Sequence, residues 1–85
     1  MARAVRVLLF ATARTAVGRR ELEWTVPPEG IPASELASEL ATAFPKLAPT
    51  LRTSRLVRNG RPIDRPTMRI HPGDEFAVHP PYGGG

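Results

Sequence analysis

Hydrophobic and polar positions alternate with a period of two near both ends of the chain and recur at helical spacing in its middle. From Ala4 to Phe10 the alternation sets Val5, Val7 and Leu9 on one face of a predicted strand and Arg6, Leu8 and Phe10 on the other. The first set is core. The second leaves Leu8 and Phe10 beside a charge, as either a second buried layer or an adhesive docking surface would. Thr12 to Val17 is expected to form a short helix, with Thr12 as its N-cap and Gly18 as the residue that accepts a left-handed backbone at its end. Arg20 to Val26 alternates cleanly, with Leu22, Trp24 and Val26 inward and charged or hydroxyl residues outward, the pattern of a half-buried strand.

Pro27, Pro28 and Gly30 break that pattern. Leu36, Ala37, Leu40, Ala41 and Phe44 then form the apolar stripe of the main helix, and Glu35, Ser38, Glu39 and Thr42 its wet side. Pro45 ends it, having no amide hydrogen to donate. Leu47 and Leu51 suggest at most one more short turn. Arg55 to Arg58 reads as a strand entering Asn59-Gly60, a dipeptide suited to the positive backbone angles of a tight hairpin, and Arg61 to Asp64 returns from it. Pro72-Gly73-Asp74 marks a further turn. Glu75 to His79 is the last strand, with Phe76 and Val78 inward, and Pro80-Pro81 ends it. One amphipathic helix on one face of a mixed sheet buries these stripes most economically, as an α+β roll over residues 1–80 followed by a tail over 81–85. Periodicity alone leaves the strand order open.

A chain of 85 residues supports one domain, since a chain this short hides only about 60–65% of its unfolded surface. Cysteine is absent, which removes disulfides, thiol nucleophiles and thiolate metal sites together and fits a reducing cytoplasm. Any sulfur chemistry must use borrowed sulfur. The longest apolar run, Val7 to Ala11, is far short of the roughly 20 residues of a membrane span, and no export signal is apparent, so a cytoplasmic location is expected. The net charge of +4 comes from arginines dispersed among apolar residues, with Lys46 the single lysine. That balance suits an acidic protein or a nucleic acid.

The segment richest in chemistry is Pro80-Pro81-Tyr82-Gly83-Gly84-Gly85. Glycines without side chains can lie in a channel too narrow for other residues, at the cost of extra backbone entropy on ordering. The two prolines stiffen the exit from the last strand and direct the tail away from the domain. The Gly85 carboxylate is thereby presented to another protein's active site. A carboxylate accepts sulfur only after its oxygen becomes a good leaving group, which adenylation by ATP achieves. No glycine loop placed to cradle phosphate lies between a strand and a helix here, so an activating enzyme must supply that step. A frayed chain end is the plainer alternative.

Val5 to Arg14, Pro72-Gly73-Asp74-Glu75-Phe76 and Pro80 to Gly85 together resemble the MoaD/ThiS ubiquitin-like sulfur carriers, respectively their opening strand and short helix, their "GDEV" turn and strand, and their "PPxxGG" end. Pro80-Pro81 and the chain length are more similar to the molybdopterin branch than to the thiamine branch. The resemblance implies a β-grasp fold with the first and last strands side by side. It further implies that Gly85 is adenylated by a MoeB-like enzyme, converted to a thiocarboxylate, and threaded with Pro80, Pro81, Tyr82, Gly83 and Gly84 into a MoaE-like large synthase subunit, which passes sulfur to cyclic pyranopterin monophosphate. The carrier itself is then not an enzyme and holds no cofactor; ATP and the sulfur donor belong to its partners. If the two strands are neighbours, Leu8, Phe10, Ala77 and His79 share the face opposite the helix and form a docking patch. His79 stands where an apolar aromatic is more usual in the family, which would make the contact responsive to pH. Arg61, Arg65 and Arg69 are candidates to meet acidic groups on the activating enzyme, Arg61 first among them.

Other sulfur recipients, namely a thiazole, a cysteine precursor or transfer RNA, fit the same tail, as does attack of a lysine amine in a protein-modifier role. A reading of another class is RNA binding. Leu56 to Ile63 followed by Arg69 to Phe76 also resembles the strand–turn–strand half of small RNA-binding domains. Against it, those domains open with two basic helices, and exposed aromatics for base stacking are not clustered here. His71 and His79 lack the accompanying spacing of a metal site or a nucleophilic triad.

Overall fold

A computed structural model describes residues 3–81. The order is β1 (Ala4–Leu9), α1 (Ala11–Val17), β2 (Glu21–Thr25), β3 (Ile31–Pro32), α2 (Ala33–Ala43), a 3-10 turn (Pro45–Leu47), α3 (Ala48–Thr53), β4 (Arg55–Arg58), β5 (Arg61–Pro62), β6 (Arg69–Ile70) and β7 (Glu75–His79). Five strands form one sheet in the order β2-β1-β7-β4-β5, in which β1 and β7 run parallel at the centre and the other pairs are antiparallel. β3 and β6 make a separate two-stranded ladder.

The predicted stripes meet between sheet and helices. Val5, Val7, Leu9, Phe76 and Val78 from the two central strands are buried against Leu36 and Leu40 of α2, with Leu47 and Ile70 closing the ends. No polar or charged residue is buried among the described residues, so this core rests on apolar burial alone. Trp24 is only partly buried. Its ring packs 6.3 Å from that of Phe44, and its indole N–H donates to Glu39 Oε1 at 2.9 Å, which ties the edge strand β2 to the wet side of α2.

Three local expectations are corrected. Thr12 does not cap α1. The Phe10 amide still donates to Val78 O as an extension of the β1–β7 ladder, so the chain turns from strand to helix within one residue, with Ala11 at φ 50° and Phe10 in the cap position. Gly18 does end the helix in the left-handed conformation. After α2 there is more than one short turn, because Pro45 and Pro49, which stop helices from within, are tolerated in a first turn and here begin the 3-10 turn and α3. Finally, the return strand is only Arg61–Pro62, with one further ladder bond beyond it from the Ile63 amide to Leu56 O at 2.8 Å, although Asn59 (φ 48°) and Gly60 (φ 82°) make the expected tight turn.

The β3–β6 ladder was not foreseen, and one glycine sustains it. Gly30 sits at φ 80°, and a Cβ there would lie 2.7 Å from Ile70 O and 2.9 Å from the His71 ring. Gly30→Ala is therefore expected to cost about 2 kcal/mol through backbone strain and displacement of β6. Urea unfolding monitored by circular dichroism measures this; a midpoint equal to wild type would refute it.

Candidate docking face and tail

Strand register determines which residues share the sheet face away from α2. Because β1 and β7 pair with Leu8 opposite Ala77, and β4 and β7 with Val57 opposite Ala77, a row runs from Leu8 through Ala77 to Val57 and on to Pro62 of β5. A second row, nearer the end of β7, holds Phe10, His79 and Arg55, the last two being cross-strand partners. Phe10 and His79 stack with ring centroids 4.4 Å apart and planes 11° from parallel. Phe10 is the exposed large hydrophobic residue among those described, at 42% of its surface. The face thus brings together Leu8, Phe10, Ala77 and His79, although Ala77 is only 4% exposed and forms the floor between Leu8 and Val57.

Arg61 is not brought to this face. It pairs with Arg58, whose own partner across β7 is the inward-facing Phe76, and so lies on the opposite side of the hairpin. Arg69 is engaged locally, its guanidinium donating to Gly30 O at 2.9 Å. Arg65 is exposed in the loop between β5 and β6. Arg55, Val57 and Pro62 were missed, although the inward Leu56 already implied that its neighbours point outward.

Pro80, partly buried, and Pro81, exposed, follow His79 at the edge of this face; Tyr82, Gly83, Gly84 and Gly85 lie outside the described residues. Two hollows flank the root of the tail. One, of about 650 Å³, is bordered by Arg55, Val57, Pro62, His79, Pro80 and Pro81. The other, of about 250 Å³, is bordered by Leu8, Phe10, Ala11, Arg14, Arg20 and Glu21. At the far end of the same face the charges neutralise each other, Arg6 reaching Glu21 at 3.3 Å and Glu75 at 3.8 Å. Among the described residues no group of acidic, histidine and cysteine side chains is placed to hold a metal, and no helix is long and apolar enough to cross a membrane.

A mixed sheet with parallel first and last strands at its centre and one main helix across it define a ubiquitin-like β-grasp domain. The ThiS family matches residues 7–85, and the chain belongs to it, as a ubiquitin-like sulfur carrier of the ThiS/MoaD type. Over 86 aligned residues, covering all of both proteins, the chain is 29% identical to the molybdopterin synthase sulfur carrier subunit of Dictyostelium discoideum. Its fold is similar to that of SAMP1 from Haloferax volcanii, a small archaeal modifier protein, with a TM-score of 0.82, 23% identity, and coverage of 96% of this chain and 99% of that one. It is also similar to a chain in the complex of subunits 1 and 2 of molybdopterin-converting factor from Helicobacter pylori, with a TM-score of 0.69, 20% identity, and coverage of 96% and 99%.

Proposed function

We propose that the protein is the small subunit of a molybdopterin synthase and carries sulfur as a thiocarboxylate on Gly85. The observation that carries this reading is the full-length match to a known sulfur carrier subunit, together with a family match that runs through the last glycine. In the proposed cycle the Gly85 carboxylate oxygen displaces pyrophosphate from ATP on a MoeB-like enzyme. A sulfur donor then displaces AMP, and the thiocarboxylate enters a MoaE-like large subunit. The face around Phe10 and His79 supports the reading because it places an exposed aromatic stack where the tail departs, so one partner can hold the domain and receive the tail together. The carrier contributes the reacting group, and the partners contribute the catalysis.

Intact-mass spectrometry tests the first half of the cycle. After incubation with the activating enzyme, ATP and a sulfur donor, the chain is expected to gain the mass difference between one sulfur and one oxygen, located on the terminal residue by fragmentation. An unchanged mass refutes the reading, and an isopeptide-linked adduct on a lysine would replace it with the modifier role. Adding the large subunit and cyclic pyranopterin monophosphate tests the recipient, because productive transfer returns the carrier to its original mass.

A further inference from the structure

Three arginines stand around the Phe10–His79 stack, and none of them is in a described ion pair: Arg14, Arg20 and Arg55. These three lie on opposite sides of the Phe10–His79 stack, since Arg55 adjoins His79 through the β4–β7 pairing while Arg14 and Arg20 border the hollow beside Phe10 on the β1 side. The one carboxylate in that second hollow, Glu21, is bound to Arg6. An exposed aromatic ridge flanked on both sides by arginines has the layout of an interface whose centre is desolvated and whose rim steers by charge.

We infer that this end of the sheet docks on a protein surface with an apolar cleft for Phe10 and carboxylates on both sides of it, one group facing Arg55 and the other facing Arg14 and Arg20. Guanidinium groups suit such a rim because they stay charged and take carboxylates in two-point contacts. The inference deepens the sulfur-carrier reading by naming the chemistry of the partner surface, and it rests on that reading for the choice of probes.

The full chain is titrated calorimetrically against the large synthase subunit and the activating enzyme of its own organism, at salt of roughly 0.05 and 0.5 M. Binding to at least one of them is expected to weaken as salt rises. Arg55→Glu and Arg14→Glu are each expected to weaken it by about tenfold or more, since each sets a carboxylate against carboxylates. Phe10→Ala should weaken it at both salt concentrations, while Lys46→Glu, the same charge change on the helical layer, should leave it unaltered. Thermal melting of every variant confirms that it is folded. Binding that resists salt and both arginine reversals, in a protein that still gains sulfur on Gly85, overturns the acidic-partner inference alone. Failure to bind either probe and to gain sulfur overturns it together with the proposed function, and so does salt-dependent binding of an RNA oligonucleotide in place of both proteins.

Discussion

Deletion of Gly84 and Gly85 is expected to abolish sulfur transfer while moving the melting temperature by less than about 2 °C. Among the described residues the last fully buried side chain is Val78; His79 is exposed, Pro80 half-buried and Pro81 exposed, so the described apolar core ends at the last strand. Removing two glycines takes no side chain from that core. It does remove the group to be adenylated, and shortens the arm that must reach a foreign catalytic pocket. Gly84→Leu separates these effects: the terminal carboxylate is retained, but a side chain now stands where a narrow channel would admit only backbone. Adenylation or transfer should fall by at least about tenfold with stability intact, as expected when bulk obstructs positioning rather than chemistry. Both variants are read by intact mass after activation and by thermal melting. A deletion that melts many degrees lower would mean that the tail is part of the fold, and the separation of carrier domain from reacting group would fail.

Much of this architecture was legible because its layers obey simple periods. Val5, Val7, Leu9, Phe76 and Val78 announce themselves by alternation, Leu36 and Leu40 by helical spacing, and Asn59-Gly60 by turn chemistry. Strand order was not legible from these signals, because alternation specifies which face a residue takes and not which strand lies beside it; the parallel pairing of β1 with β7 came from the family resemblance. The same gap explains the docking face. Leu8, Phe10 and His79 were assembled through that resemblance, while Arg55 and Val57 enter only once β4 is known to pair with β7, and Arg61 drops out for the same reason. Short elements escaped altogether. β3 and β6 have two residues each, too few to show a period, and they are held by the contact of Gly30 with Ile70 and by the Arg69 hydrogen bond rather than by any pattern of their own.

The Pro72-Gly73-Asp74 turn was recognised as punctuation, yet its aspartate organises three separate parts of the chain, and its loss should produce the largest change in stability. Asp74 Oδ2 accepts from Arg58 Nε at 2.9 Å and from the His71 amide at 2.8 Å, and Oδ1 accepts from Asn59 Nδ2 at 3.0 Å. The Asp74 carbonyl in turn accepts from the Arg6 amide of β1 at 3.0 Å. The side chain is only 13% exposed, so Asp74→Ala would leave a partly buried guanidinium and two amides without their acceptor. A loss of about 3 kcal/mol is expected, a large share of the roughly 5–10 kcal/mol available to a domain this small. Asp74→Asn keeps the shape and one acceptor oxygen and should lose about half as much. Burial by itself would push the Asp74 carboxyl up, but hydrogen bonds from the His71 amide, Asn59 and Arg58, with the Arg58 charge, outweigh it and hold the group below its ordinary value of 3.8. A carboxyl whose pKa is lower in the folded state than in the unfolded chain stabilises the fold above the unfolded pKa, and that contribution disappears as pH falls through the folded one. Urea unfolding of wild type and Asp74→Asn should therefore differ most near neutrality and converge in acid below the ordinary carboxylate range. Parallel pH profiles for the two proteins would show that the Asp74 charge contributes nothing to stability and that the turn is held by its backbone alone.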